Sequence, residues 1–295
     1  MSENFHIAHN AHEQFSKAQW KALVSRFQHF LHPDKDKLLS FNDVKDILRP
    51  KHQIYRGMRS VPVNLIIGSE GRYQDFNKCF APKTHNTRQR WESIAGASMR
   101  DIILPAVQLY EIGGVYFVRD GNHRVSVAAA QGVMEIDAEV TSLESEIKIK
   151  PDFTIAELRD AVIKYEKRIF YDETFFGDLT DYWDLDFSRT GRYDVIYNHI
   201  LAHKYFINQG KDEEIPFCDA LVSWYKNVYC PVMKIVDEEH IYARFPRRKG
   251  GDFYVWLVKR WDLLKQEFGD EFSLEDAAKS GKITQDGAPS DENIP

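Results

Sequence analysis

Five consecutive residues with chemical potential lie near the middle of the chain, where a β-rich run gives way to a helix-forming one: Asp120, Gly121, Asn122, His123 and Arg124. A glycine after a strand lets the backbone bend sharply. The first turn of the next helix presents unpaired N–H groups and the positive end of its dipole. An arginine there adds a fork of donors that suits phosphate, and a histidine can donate a hydrogen bond or carry a proton near neutral pH. We therefore predict a site for a phosphorylated ligand or nucleotide at this turn.

The same residue types also allow a purely structural interpretation. Asp120 or Asn122 would then cap the helix, Arg124 would pair with a surface carboxylate, and His123 would be a hydrogen-bonded core residue. Residue types and local order do not separate the two interpretations.

Further groups are expected from the loop "SEGRYQDF", which follows the preceding predicted strand. Arg72 is predicted as a second phosphate ligand, and Gly71 would let the ligand approach the backbone closely. Glu70 and Asp75 are candidates for a general base or a metal ligand, with solvated loop charges as the alternative. Asp120 at the strand end could bind the same metal ion or orient the histidine beside it.

A local basic edge is also expected, and it would serve a nucleotide or a nucleic acid. Its five members are Arg56, Arg59, Arg88, Arg90 and Arg124.

The elements that must position these residues follow from hydrophobic periodicity and turn chemistry. An amphipathic helix is predicted over residues 12–31, and a second one follows Ser40 as its N-cap. The remaining elements of this half alternate between strand and helix patterns. They are a strand at 61–67, a helix within 84–98, a hairpin around Gly113 and Gly114, a helix ending at Gly132 and a strand at 136–143.

Helical periodicity dominates the rest of the chain, where four aromatic-rich stretches are predicted to pack as a core. The fold class predicted is α+β, with four consecutive parts. These are a helical N-terminal segment (1–59), a small mixed-sheet domain (60–145), a mainly α-helical domain (146–275) and a disordered tail (276–295).

Composition excludes several classes of protein. The 295 residues carry a formal net charge of −6, which argues against a protein whose whole surface coats nucleic acid. No apolar run is long enough to span a membrane, and the first residues lack the basic and apolar regions of a secretory signal. The three cysteines, Cys79, Cys218 and Cys230, form no CxxC pair, so we expect reduced thiols in a cytoplasmic protein.

Weaker metal patterns are present as well. His199 and His203 are four residues apart and could share a helix face, although no third ligand is evident. The run "DKDKLLSF" partly matches a calcium loop, but it lacks the required glycine and glutamate, and a capped turn between helices is the favoured interpretation.

The order "VPVNLII…GR…LPAVQLYEIGGVYFVRDGNHRVSVAAAQG…IDAEV" resembles the ParB/sulfiredoxin superfamily over residues 60–143. The segments "GRYQDF", "YFVRDGNHRVSVA" and "GDFYVWLVKRW" are similar, over nearly the whole chain, to bacterial ParB-like proteins of uncharacterised function. The superfamily includes ParB, a CTP-binding DNA clamp, sulfiredoxin, which uses ATP to repair oxidised cysteine, and a free serine kinase. Their common property is contact between the glycine turn and nucleotide phosphates.

Carried over by residue, the resemblance implies that Gly121, His123 and Arg124 match this turn. Asn122 departs from it, since ParB has a glutamate and sulfiredoxin its catalytic cysteine at that place. Sulfiredoxin-type repair is therefore not expected, and the preceding Asp120 makes the turn more similar to that of the free serine kinase.

The resulting expectation is a protein that binds a nucleoside triphosphate (ATP or CTP) with Mg²⁺ and hydrolyses or transfers its terminal phosphate. The nucleotide would be held by residues of the turn and the loop: Gly71, Arg72, Gly121, Asn122, His123 and Arg124. Asp120, His123 and Glu70 would be catalytic, with Asp120 and Glu70 also holding the metal. The alternatives are a DNA-binding ParB-like regulator and a nuclease, and the oligomeric state stays open, a homodimer included.

Overall fold

The computed structural model describes residues 2–245, 248–268 and 273–280. The chain divides into two compact units, residues 1–160 and residues 161–295.

A six-stranded mixed sheet organises the first unit. Its strands are β1 (Leu39–Ser40), β2 (Gln53–Pro62), β3 (Ile66–Ser69), β4 (Val107–Ile112), β5 (Val115–Asp120) and β6 (Glu135–Leu143). Their order across the sheet is β1-β3-β5-β4-β6-β2. The pairs β1/β3, β3/β5 and β4/β6 are parallel, while β4/β5 and β2/β6 are antiparallel. The α+β class is therefore confirmed.

Four helices accompany this sheet within the first unit: α1 (Ser2–Gln28), α2 (Phe41–Leu48), α3 (Arg88–Ser98) and α4 (Asn122–Gln131). The predicted cap of α2 is confirmed, because the Asp43 backbone N–H donates to Ser40 Oγ at 3.4 Å. The predicted end of α4 is confirmed too, since Gly132 adopts a φ of 73° there. The first predicted helix, over 12–31, ends three residues early, at Gln28.

The single strand predicted over 61–67 is interrupted. β2 ends at Pro62, a 3₁₀ turn covers Val63–Leu65, and β3 starts at Ile66. Proline fixes φ and has no N–H to give to a ladder, so it suits the end of a strand. The Val63 N–H donates instead to the Met134 carbonyl at 3.0 Å. The two strands thus lie at different places in the sheet, although they are close in sequence.

Gly68 lets β3 fit between its two neighbours. A Cβ atom at this position would lie 2.4 Å from both the Leu39 carbonyl oxygen and a ring carbon of Phe117. A larger residue would therefore push β3 away from β1 or β5.

The second unit is helical. Its helices are α5 (Ile155–Thr174), which begins in the first unit, α6 (Phe176–Thr180), α7 (Arg192–Asn208), α8 (Phe217–Trp224), α9 (Cys230–Glu238), α10 (Ile241–Arg244), α11 (Gly250–Phe268) and α12 (Leu274–Ser280). A π-helical turn, Tyr225–Tyr229, joins α8 to α9. The nearby Pro231 cannot donate a backbone hydrogen bond, and its ring excludes regular packing against the preceding turn.

Aromatic side chains build the core of the second unit, as predicted. Phe176, Trp224 and Tyr254 are almost completely buried in one cluster. Edge-to-face ring pairs are frequent in it, such as Trp224 with Tyr254 at 5.5 Å between ring centroids.

Two predicted boundaries differ from the structure. Strand β2 starts at Gln53, inside the segment 1–59 that is predicted as helical. This segment belongs to the same compact unit, residues 1–160, as the sheet domain predicted over 60–145. Residues 276–280, predicted as the start of a disordered tail, belong to α12, and residues 281–295 lie outside the described residues. In the described part of the chain, no helix has the length and apolarity to cross a membrane.

Candidate functional site

The predicted loop and turn lie at the same edge of the sheet. Strands β3 and β5 are parallel neighbours with Ser69 opposite Val118, so both end at this edge. The Glu70 backbone N–H continues the ladder by donating to the Val118 carbonyl at 3.0 Å. The loop after β3 therefore begins beside the turn at Asp120 and Gly121.

The turn itself requires glycine. Gly121 has φ 101° and ψ 24°, a conformation that other residues rarely adopt. A Cβ atom would also lie 2.7 Å from Val107 Cγ1. The first bond of α4 runs from the Val125 N–H to the Gly121 carbonyl at 3.0 Å, which leaves the N–H groups of residues 122–124 without partners inside the helix. The predicted glycine bend into a helix N-terminus is confirmed.

Arg124 is bound to the protein itself. Its Nη1 atom donates to the carbonyls of Pro105 and, at 2.8 Å, Ala106, and its Nη2 atom donates to Asp120 Oδ2 at 2.5 Å. Only 15% of the Arg124 side chain is exposed. The guanidinium thus fastens the turn to the segment that leads into β4. For Arg124 the structure shows the pairing of the structural interpretation rather than a free phosphate ligand.

His123 is buried and uncharged at neutral pH. Its ring lies edge-on to Phe76 at 5.4 Å between centroids. Burial lowers the pKa of His123 to about 4, and the positive charges of Arg72 and Arg90 lower it further, while Asp75 opposes them. Of the two roles predicted for His123, hydrogen-bond donor or proton carrier near neutral pH, the lowered pKa favours the first.

Two buried polar atoms at the start of α4, Asn122 Oδ1 and His123 Nδ1, have no hydrogen-bond partner among the residues that the structure describes. Their residues are 8% and 5% exposed. Buried polar side-chain atoms nearly always have a partner, so an unpaired one needs an explanation. The two are consecutive in sequence and lie at the helix end that attracts anions.

Two other arginines supply positive charge at this place. Arg72 donates from Nη1 to Asp75 Oδ2 at 3.2 Å and remains about half exposed. Arg90 is exposed on α3 and has no ion pair within the described part of the chain. Both charges act on His123, as its pKa shows. In the sequence, Arg90 is indicated only as one of the five residues of the predicted basic edge.

The carboxylates proposed for a metal ion follow adjacent strands. Asp120 ends β5 and is 65% exposed, although one of its oxygens accepts from Arg124. Glu70 follows β3 and is partly buried. No group of three metal-binding side chains occurs among residues whose structure is described. Mg²⁺ bound together with a nucleotide needs only one or two protein carboxylates, since phosphates and waters complete its shell. Asp120 and Glu70 are two carboxylates at the ends of the adjacent strands β5 and β3.

Gly71 lies in the open part of the loop. It is exposed, and a Cβ atom there would have no protein atom within 4 Å. The local backbone therefore does not need glycine, and the position is accessible to a ligand.

The predicted basic edge is not a single surface. Arg56 and Arg59 lie on β2, which β4 and β6 separate from β5. Arg88 donates from Nε to Glu92 at 2.7 Å. Of the five predicted members, Arg90 is the one whose charge acts on His123 at the turn and has no ion pair with a described residue.

The weaker metal patterns have other partners. His199 Nδ1 lies 3.1 Å from the Tyr254 hydroxyl, and His203 Nε2 lies 3.0 Å from Ser223 Oγ. Burial lowers the pKa of both histidines. In the run compared with a calcium loop, Asp36 is buried and accepts hydrogen bonds from protein side chains.

Comparisons of the chain with protein families, with curated proteins and with solved structures find no match.

Proposed function

We propose that the first unit binds a nucleotide by its phosphates at the N-terminus of α4, and that residues 60–145 belong to the ParB/sulfiredoxin-like fold. The observation that carries the proposal is the buried, unpartnered His123 Nδ1, a ring nitrogen that can carry a proton and donate, at a helix N-terminus with two arginine charges beside it. Backbone N–H groups, a helix dipole and arginines are the groups that bind phosphate in proteins. The succession of hairpin, glycine turn, helix and strand supports the fold.

In this proposal Arg72 and Arg90 bind phosphate oxygens, together with the backbone N–H groups of residues 122–124. His123, being neutral, donates one hydrogen bond, and which ring nitrogen carries the proton depends on its partner. The Arg124 guanidinium holds the turn in shape through Asp120 Oδ2 and the carbonyls of Pro105 and Ala106 rather than contacting the ligand.

Hydrolysis or transfer of the terminal phosphate of ATP or CTP is the reaction that we propose for this site. Asp120 and Glu70 would hold the Mg²⁺, which neutralises charge on the phosphates when it is bound. The part played by this chain is to align the phosphates against α4 and to keep Arg72 and Arg90 directed at them. Glu70 is the carboxylate available to accept a proton from water or from an acceptor hydroxyl.

Calorimetry of the full chain with ATP, CTP and GTP, each with Mg²⁺, tests nucleotide binding. We expect Arg72→Ala and Arg90→Ala each to weaken binding about tenfold, as the loss of a charged hydrogen bond does. Arg100→Ala, an exposed arginine beyond the other end of α3, should leave affinity unchanged. Absence of binding at millimolar nucleotide, or equal effects of all three variants, would overturn the proposal.

Release of inorganic phosphate tests the reaction separately. We expect Glu70→Gln to lower the rate at saturating nucleotide and Mg²⁺, because the amide can neither accept the proton nor hold the metal ion as a carboxylate does. A protein that binds nucleotide but releases or transfers no phosphate would be a nucleotide-binding protein only.

DNA binding is the second candidate, and the exposed Arg56 and Arg59 on the edge strand β2 favour it. It predicts retention of a DNA fragment in a gel at low salt that is lost at high salt and in the double variant Arg56→Ala/Arg59→Ala. Cleavage of plasmid with divalent metal would indicate a nuclease instead.

A further inference from the structure

A second cleft lies in the first unit, beside α1. It has a volume of about 390 Å³, which is within the range of small-molecule sites. The C-terminal part of α1 forms one wall with Ala22, Leu23 and Arg26. The facing wall comes from the 3₁₀ turn at 33–36 and from the segment around Lys83.

The charges on this cleft are unbalanced. Arg26, Lys37 and Lys83 line it, against the single carboxylate of Asp36, so the lining carries a formal charge of +2. Lys37 has an exposed ion pair with Asp34 at 2.7 Å. The side chains of Arg26 and Lys83 have no ion pair with any residue in the described ranges.

Asp36 is a buried carboxylate held by hydrogen bonds. The residue is 8% exposed, and Oδ1 accepts from Ser25 Oγ at 2.5 Å and from Asn77 Nδ2 at 3.2 Å. This carboxylate joins α1, the 3₁₀ turn and the loop at Asn77, so it belongs to the framework of the cleft.

Lys83 lies among charges of both signs. Burial lowers the pKa of Lys83, and among the nearby charges Asp36 and Asp75 raise it while Lys37 and Arg26 lower it. A bound anion would relieve the repulsion among the three cations.

We propose that this cleft binds a small organic phosphate ester. A phosphate monoester carries a charge of about −1.5 to −2 at neutral pH and so matches the charge of the lining. Arg26 and Lys83 would bind the phosphate, and the apolar side chains of Ala22, Leu23 and Pro33 would contact the body of the ester. The site is separate from the proposed nucleotide site and does not depend on it.

Calorimetry of the full chain with phenyl phosphate tests the proposal, because this probe joins a dianion to an apolar ring. We expect binding that Arg26→Ala and Lys83→Ala each weaken about tenfold. Lys83→Arg, which keeps the charge, should retain most of the affinity. Benzoate, a monoanion, should bind more weakly, and benzyl alcohol should not bind.

A control variant shows whether binding belongs to this cleft. Lys51→Ala, at an exposed lysine elsewhere, should leave phenyl phosphate binding unchanged. The losses in Arg26→Ala and Lys83→Ala are expected whether or not a nucleotide binds at α4. Absence of phenyl phosphate binding, binding that both cleft variants retain, or equal binding of benzyl alcohol would overturn the proposal.

A measurement on the unmodified chain covers the case in which a variant does not fold. Phenyl phosphate should protect Lys83 from reductive methylation, detected by peptide mass spectrometry, while Lys51 reacts as before. Equal labelling of Lys83 with and without the probe would count against the site.

Discussion

Arg124 Nη2 donates to Asp120 Oδ2 at 2.5 Å, so the two residues on either side of the Gly121 bend are bound to each other. The same guanidinium also holds the carbonyls of Pro105 and Ala106. The bend is thereby fixed in both its own conformation and its position beside β4. An arginine that sequence suggested as a ligand is a framework residue, and this allows the following predictions.

Replacing Gly121 by alanine should destabilise the fold. The left-handed backbone costs an L-residue about 1–2 kcal/mol, and contact of the new Cβ with Val107 at 2.7 Å costs a further amount of about 1–3 kcal/mol. Urea unfolding gives the free energy of unfolding. Gly132→Ala is the matched control, since Gly132 also has a positive φ of 73° but no atom within 4 Å of the Cβ position. Equal losses for the two variants would show that Val107 does not restrict the turn.

Arg124→Met should lower the free energy of unfolding by about 1–3 kcal/mol, because two carbonyls lose a charged donor. Asp120→Asn should cost less than about 1 kcal/mol, because that carboxylate is largely exposed and screened by solvent. Both are measured by chemical denaturation. The framework role of Arg124 would be contradicted if Arg124→Met left the free energy of unfolding unchanged. It would also be contradicted if Asp120→Asn lowered that free energy as much as Arg124→Met does.

Stability should depend on the titration of His123 in acid. The unfolded chain binds the proton with the ordinary pKa near 6.5, whereas the folded chain binds it only near pH 4. Between these values the unfolded state holds more protons than the folded state. The free energy of unfolding therefore falls as pH is lowered from about 6.5 to about 4. The stability that the fold gains by keeping the His123 ring neutral is fully present above about pH 6.5.

His123→Gln isolates this effect from other titrating groups. The pH-dependent loss of stability in that window should be smaller in the variant than in the unmodified chain. An NMR titration of the His123 ring reports the folded-state pKa directly. A value near 6.5 would contradict the burial and the nearby arginine charges as its causes.

Ser126 should be a sensitive position in the core of the first unit. Its hydroxyl accepts from Trp91 Nε1 at 2.8 Å and donates to the Phe80 carbonyl at 2.5 Å, all of them buried. Ser126→Ala should cost about 2–4 kcal/mol, because two buried polar groups lose their partner. Ser98→Ala is the control, since Ser98 makes one half-buried bond, to Gln131 at 3.2 Å, and should cost less than about 1 kcal/mol. Similar losses in thermal or urea unfolding would show that the Trp91 bond contributes little.

Local sequence accounts for much of the fold. The hairpin β4–β5, the bend at Gly121, the cap at Ser40 and the end of α4 at Gly132 follow from turn and capping preferences of a few neighbouring residues. The aromatic helices of the second unit follow from periodicity. The interruption at Pro62 was missed because an apolar run of seven residues fits one strand as well as the end of one and the start of another.

Turn preferences and periodicity do not predict which residues the side chains of the site contact. Arg124 is bound to carbonyls eighteen and nineteen residues earlier, and His123 is buried by Phe76 and influenced by Arg90 of α3. Asp36 is held by Asn77, forty-one residues away. Such pairs depend on the strand order and on which faces pack together.

The sequence by itself determined where the chain bends, which segments are helical or extended, and that polar residues meet at one strand-to-helix turn. Only the tertiary structure decided which of those residues are free to bind a ligand. The reason is that backbone preferences act over a few residues, whereas burial, charge and the availability of a hydrogen-bonding group depend on neighbours brought together from distant parts of the chain. Arg124, predicted as a phosphate ligand, is bound to Asp120 and to two backbone carbonyls for this reason.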